Sequence, residues 1–291
     1  MPEAKRNMGA SVRARLLKLA KERGQPFDLL LTRYALERLL YRLSTTKYRE
    51  RFVLKGAMLM TTWFDTKFRP TRDLDFLGFG DPTPDKVVAV FREICAVTQD
   101  DGVQFDGNAM KVERNREELE YGGLRLRTQA IIDGARVPVV IDIGFGDAIE
   151  PGLDDIEYPV LLDAPAPKLR GYRHETVVAE KFEAIVKLGQ ANSRAKDFYD
   201  LWKLSREHQF EGDGLARAIA ATFARRKTTI PAERPIGLTR AFADDPAKQQ
   251  LWKAFAKNIG VELPPLGEVI EEVAAFLMPA AVAAASLPAA A

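Results

Sequence analysis

A single cysteine, Cys95, leaves a chain of 291 residues without an internal disulfide. Two histidines are too few for the usual Cys/His zinc centre. No apolar run approaches the roughly 20 residues that cross a bilayer. The opening Met-Pro-Glu-Ala-Lys-Arg leads into an amphipathic stretch and not into the apolar core of a signal peptide. Disulfide-stapled and membrane-spanning classes are thereby excluded, and the expected location is cytoplasmic, with no membrane contact. What is present, 46% hydrophobic and 29% charged residues, is the composition of a globular protein with one large core or two modest ones.

The net charge of +2 conceals segregation. Residues 1–55 carry 14 Lys and Arg against 5 Asp and Glu, whereas residues 72–163 carry 9 against 20. Such an arrangement suits a polyanion brought to a metal site by a basic surface. It is equally what two solvated surfaces look like.

Hydrophobic periodicity predicts helices over Ser11–Glu22 and Asp28–Leu43, a short apolar run at Phe52–Leu54, a helical segment Ala57–Phe64, a strand Asp73–Phe79 and a helix Asp85–Val97. Leu124–Ile132 and Val137–Ile143 flank Asp133-Gly134-Ala135-Arg136, a strong hairpin signal. A Pro-, Gly- and Asp-rich linker follows over 150–167, with a short strand expected at Tyr158–Leu162. Beyond it every element reads as helix, over Glu175–Leu188, Ser193–Ser205, Gly214–Arg226, Ala247–Asn258 and Leu266–Leu277. The Ala-rich tail after Pro279 is expected to fray. The expected class is therefore α+β and two-lobed, with residues 1–163 holding a basic helical lead-in and an α/β core, and 164–291 a helical lobe.

The chemistry concentrates in Arg69-Pro-Thr-Arg-Asp-Leu-Asp-Phe. On a strand, Asp73 and Asp75 project from one face while Leu74 and Phe76 pack behind. Adjacent carboxylates repel unless a cation sits between them, and Mg2+ is held by one or two carboxylates plus substrate phosphates. Asp142, a lone carboxylate inside Val139–Ile143, is a candidate third ligand, since an unpaired buried carboxylate is costly. Three such groups around two ions suit in-line nucleotidyl transfer. Partners for Arg69 and Arg72 would explain the same pair structurally. Gly56, after Lys55, permits close backbone approach to phosphate or simply allows close packing. Lys181 is either a phosphate ligand or the salt-bridge partner of Asp197 and Asp200, which share a helix face at i,i+3.

Four stretches, Leu54-Lys55-Gly56-Ala57, Arg69–Phe76, Ala179-Glu180-Lys181 and Lys196-Asp197-Phe-Tyr-Asp200-Leu, resemble in order and spacing the AbiEii nucleotidyltransferase family, which includes the MenT toxins. The resemblance implies a polymerase-β-like nucleotidyltransferase core with a mixed sheet, followed by a mostly helical lobe. It implies an enzyme of a toxin–antitoxin system that moves an NMP from an NTP, with Mg2+ or Mn2+, to the 3′ end of tRNA, blocking aminoacylation. Asp73, Asp75 and Asp142 would bind metal, Lys181 would grip the triphosphate, and Asp197 would be an essential acid. Lys55, Gly56, Arg69, Thr71 and Asp200 would line the nucleotide. Thr71 stands where some relatives carry a serine phosphorylated by a kinase antitoxin. The chain departs from the family at Ala57, where Gly or Ser is common, and at Arg72, where an acid is common. A separately encoded antitoxin and a monomer or weak oligomer are expected. The alternatives are the same chemistry on a protein hydroxyl or an aminoglycoside-type small molecule, and a non-catalytic nucleic-acid or partner-binding protein.

Overall fold

In the computed structural model, which describes residues 7–64, 69–114, 123–210 and 212–288, the chain divides into two compact units. The first comprises residues 1–146 and 154–171, and the second residues 147–153 and 172–291. Residues 147–153 thus group with the second unit, although residues 154–171 after them group with the first.

The first unit opens with α1 (Met8–Arg23) and α2 (Phe27–Ser44). Gly24, at a φ of +62°, ends α1 in the left-handed conformation that glycine alone adopts without strain. The sheet is mixed, with the strand order β3 (Gln104–Phe105), β5 (Leu124–Ile132), β6 (Ala135–Phe145), β2 (Asp73–Gly78), β1 (Phe52–Lys55), β8 (Lys168–Tyr172), β7 (Leu153–Glu157). β4 (Lys111–Arg114) pairs with β5 off this path. β1 runs antiparallel to β2, and β2 parallel to β6. The β5–β6 hairpin turns at Asp133 and Gly134, both with positive φ, the geometry of a two-residue type I′ turn. Behind β1 and β2, α4 (Pro84–Ala96) sets Phe91 against Phe52 at 4.9 Å and Phe76 at 6.4 Å between ring centroids. This aromatic cluster fixes which face of β2 is inside, and hence which face carries its carboxylates.

The basic excess of residues 1–55 is partly internal. Arg38 and Arg42 are buried on α2 and converge on Asp101, with Arg42 Nη1 at 2.7 Å and Arg38 Nε at 3.0 Å from Oδ2. Burial alone would raise the Asp101 carboxyl, but the hydrogen bonds and charge of Arg42, then of Arg38, hold it below the usual range. Lys55 is buried as well. Among the described residues of this segment, the exposed cations are Arg13, Arg15, Lys18, Lys21 and Arg23 of α1, together with Lys47 beyond the end of α2.

The expected strand at Tyr158–Leu162 is absent, and β7 and β8 form on either side of it. α2 explains why. The Tyr158 N–H still donates to Pro167 O at 2.9 Å, but beyond it the Leu161 N–H donates to Glu37 Oε2 at 2.8 Å and Pro165 O accepts from Arg38 Nη1 at 2.9 Å, so buried side chains take up backbone groups that a strand partner would otherwise satisfy.

The second unit is helical: α5 (His174–Leu188), α6 (Ala195–Glu207), α7 (Gly212–Arg225), α8 (Arg240–Asp244), α9 (Pro246–Ile259) and α10 (Leu266–Ala285). Phe182 of α5 and Phe223 of α7 pack at 5.3 Å. Of the tail expected to fray after Pro279, residues 280–285 are instead the last turns of α10, and residues 289–291 lie outside the described residues. The apolar stripe Val269, Ile270, Val273, Ala274, Leu277 continues through buried Ala281 and Ala284, so packing holds the helix beyond its interior proline. Among the described residues no helix is long and apolar enough to cross a membrane.

Glu37 yields a test of this core. It is fully buried, and burial pushes its carboxyl from the ordinary 4.5 up to about 7 against the lowering effects of the Leu161 N–H and Arg38. The folded chain therefore favours the protonated form. The corresponding stability is complete below the unfolded value and drains away as pH rises through about 7. Glu37→Gln should flatten this dependence and should exceed the wild type in urea midpoint above neutrality, measured from about pH 5 to 8. Parallel profiles for the two proteins would contradict it.

Candidate active site

Register brings the expected residues into one row. Lys55 of β1 lies opposite Asp75 of β2, Asp75 beside Asp142 of β6, and Asp142 opposite Arg125 of β5. Residues paired across a sheet share a face, so four strands present cation, carboxylate, carboxylate and cation in sequence. Asp73, two residues earlier on β2, lies on the same face beside Val140. Asp73 and Asp75 are half-buried, whereas Leu74 and Phe76 on the other face are buried, as the alternation predicts.

Local contacts set each carboxylate. The Thr71 hydroxyl donates to Asp73 Oδ1, which places Thr71 against the acidic pair. Arg69 is buried, and Arg72 turns outward to Asp28 Oδ2 at 2.6 Å, tying the motif to the start of α2. Gly56 follows Lys55 directly and begins α3 (Gly56–Met60) with a φ of +68°. A Cβ there would lie 2.0 Å from Asp75 Oδ2 and 2.6 Å from its Cγ. Glycine is therefore required twice, by its backbone conformation and by the carboxylate it lies against.

Asp142 is buried at 7% relative exposure, and both of its oxygens are engaged. Arg125 Nε donates to Oδ1 and Nη2 to Oδ2, each at 2.7 Å, in a bidentate fork. Arg125 did not stand out in the sequence. The signal that could have found it is the charge on the positions of β5 that alternate with buried Leu124 and Leu126, opposite the lone acid of β6. Among the described residues no three Asp, Glu, His or Cys side chains are gathered closely enough to hold a metal ion. The donor chemistry of Asp73 and Asp75, two half-buried carboxylates at i and i+2, still fits a hard divalent ion that takes its remaining ligands from phosphates and water.

The second unit holds another charged cluster. Lys181 Nζ of α5 stands 2.7 Å from Asp197 Oδ1 and 2.7 Å from Asp200 Oδ2 of α6, the salt-bridge alternative of the sequence reading. Asp200 is fully buried, and the Asp197 side chain is 5% exposed. One turn from Lys181, Glu180 and Glu183 join Asp147 around Arg226 at 3.0, 3.0 and 3.4 Å. Burial alone would lower the Arg226 guanidinium, but Glu180, Asp147 and Glu183 together raise it.

The chain belongs to the AbiEii family of nucleotidyl transferase toxins of type IV toxin–antitoxin systems, whose model matches residues 38–279. It is thus a nucleotidyltransferase, and membership implies an antitoxin partner. Two solved structures from Helicobacter pylori share the fold. One, described as a candidate nucleotidyltransferase, is 16% identical with a TM-score of 0.50, covering 88% of this chain and 94% of its own. The other, JHP933, is 15% identical with a TM-score of 0.50, covering 88% and 91%. No curated protein matches.

Two substitutions separate site geometry from stability. Gly56→Ala should displace the Asp75 carboxylate and cost about 1–3 kcal/mol in backbone strain, while nucleotide transfer falls about 100-fold, as expected for a misplacement near 1 Å. Full activity in a folded Gly56→Ala protein would refute the close approach. Lys181→Met removes the ammonium that both buried carboxylates meet and should cost about 3–5 kcal/mol in urea unfolding. Adding Asp200→Asn should recover part of that loss. A Lys181→Met protein as stable as the wild type would show that the cluster contributes little to folding.

Proposed function

We propose that the Asp73–Asp75 pair holds Mg2+ and a bound NTP, and that the enzyme transfers the NMP to the 3′ end of tRNA. The observation that carries this reading is the pair itself. A glycine-backed carboxylate and a threonine-oriented one stand on the same face of a strand whose other face is locked by aromatic packing. When bound, the divalent cation supplies charge neutralisation for the triphosphate and the departing pyrophosphate.

The chain's own residues supply position and charge. Thr71 orients Asp73, Gly56 leaves room for Asp75, and Lys55 places a cation opposite Asp75 in the row. Arg69 lines the nucleotide beside the pair. In this reading Lys181 serves the triphosphate, with Asp197 and Asp200 as the acids that hold it. The acceptor hydroxyl oxygen forms its bond to the α-phosphorus as the bond to the bridging oxygen breaks. Pyrophosphate leaves with that electron pair, and the hydroxyl proton passes to solvent.

The assignment of tRNA as acceptor draws on α1. Arg15, Lys18 and Lys21 lie on its outward side, opposite buried Val12, Leu16 and Ala20. Its electrostatic pull is smaller than the sequence count implies, because Arg15 also meets Asp163 at 3.0 Å and Lys18 meets Glu22 at 3.7 Å. Such exposed pairs are weak and yield readily to phosphate.

The test is to incubate the full chain with each α-labelled NTP and total tRNA. Label should enter tRNA 3′ ends with the wild type and be lost with Asp75→Asn. Reversing Lys18 and Lys21 to Glu should weaken transfer and reduce its salt dependence. Label that stays on protein or on a small acceptor, with none in RNA, would overturn the tRNA assignment while leaving the chemistry intact.

A further inference from the structure

One exposed guanidinium joins the basic helix to the carboxylate strand. α1 ends at Arg23 and α2 begins at Phe27, so Asp28 on the first turn of α2 lies no more than about 18 Å from Arg23. Arg72 reaches the same place from the strand side, with Nη2 at 2.6 Å from Asp28 Oδ2. The residue after it is Asp73, whose Oδ1 accepts from the Thr71 hydroxyl. The surroundings favour an anion. Lys21 and Arg23, both exposed, occupy the last turn of α1. Burial, and then the charge of nearby Arg33, lower the Arg23 guanidinium below its ordinary value. Against these cations stand Glu22, which meets Lys18 at 3.7 Å, and Asp28. The Arg72 and Asp28 side chains are 59% and 64% exposed. A pair so exposed contributes little and is screened by salt, whereas a guanidinium forks onto phosphate in the geometry it uses for a carboxylate. A polyanion lying along α1 toward Asp73 can therefore exchange Asp28 for one of its phosphates.

We propose that Arg72 is a phosphate contact for the acceptor tRNA, with Asp28 as the counter-ion it leaves on binding. The inference rests on the reading of tRNA as the acceptor. It extends the basic surface of α1 to the residue next to the carboxylate pair. Asp28 in this role competes with the substrate, so the two members of the pair act on tRNA with opposite sign. A tether that only braced the motif would give both the same sign.

The experiment measures binding of fluorescently labelled total tRNA to the full chain by anisotropy, with a metal chelator and no NTP, over about 50–200 mM salt. Arg72→Gln should weaken binding about three- to tenfold and reduce the slope of log affinity against log salt by about 0.7–0.9, the share of one phosphate contact. Asp28→Asn should tighten binding about two- to fivefold, as expected when an exposed ion pair no longer has to open. In the Arg72→Gln background the same substitution should change nothing, because Asp28 acts through Arg72. An Arg72→Gln protein with the wild-type slope would overturn the proposal. So would weakening by both single substitutions, the mark of a tether, or equal tightening by Asp28→Asn in both backgrounds, the mark of general repulsion. Both side chains are more than half exposed, so urea midpoints should stay at the wild-type value. A large fall in either would mark the pair as structural and count against the proposal. A wild type that binds no tRNA would instead overturn the tRNA reading, and this inference with it.

Discussion

Strand register between β1, β2, β6 and β5 is the constraint on which the rest of the candidate site depends. Slipping β2 by one residue would send Asp73 and Asp75 into the aromatic layer and bring Leu74 and Phe76 out to water. The contact of Phe76 with Phe52 and Phe91 forbids that slip, because it would exchange buried rings for buried charges. The carboxylate face is thus specified from behind, by residues on the opposite side of the strand. Gly56 adds a second lock, since its backbone occupies the space that any side chain would deny to Asp75.

Charge neutralisation recurs in four buried clusters among the described residues. Asp101 has Arg38 and Arg42, Lys181 has Asp197 and Asp200, Arg226 has Glu180, Glu183 and Asp147, and Asp142 has Arg125. Breaking one partner out of such a group costs more than the group contributes over an apolar alternative. Family motifs that contain Lys181 and Asp197 therefore carry a structural burden as well as any catalytic one. Loss of activity on substituting either residue does not distinguish contact with nucleotide from collapse of the cluster. The stability of the variant does.

Much of this was legible in the sequence, and the divide has a physical basis. Local rules read well: the hairpin turn at Asp133-Gly134, the helices α1, α2, α4 and α5, and the alternation that separates Asp73 and Asp75 from Leu74 and Phe76 all depend on neighbours in the chain. Features set by distant partners did not. The stretch after Tyr158 has strand-like composition but satisfies its backbone through Glu37 and Arg38, more than a hundred residues earlier. Pro279 reads as a stop, yet the buried stripe of α10 carries the helix past it. Lys55, Asp75 and Asp142 were each visible as candidates, but their alignment in one row, and the guanidinium at its end, arise only from strand pairing.

The same reasoning reinterprets the charge segregation. A net excess in one segment implies a surface field only if the charges reach the surface. Arg38, Arg42 and Lys55 do not, and among the described residues α1 carries most of the exposed remainder, with Lys47 beside it in the count. In the acidic segment, Asp101 is likewise consumed by Arg38 and Arg42 of the basic segment, and Asp142 by Arg125. Part of the apparent polarity between the two segments is therefore the mutual neutralisation of a folded core. What is left for a polyanionic substrate is narrower: the exposed cations of α1 with Lys47, and one strand that presents two half-buried carboxylates on a single face.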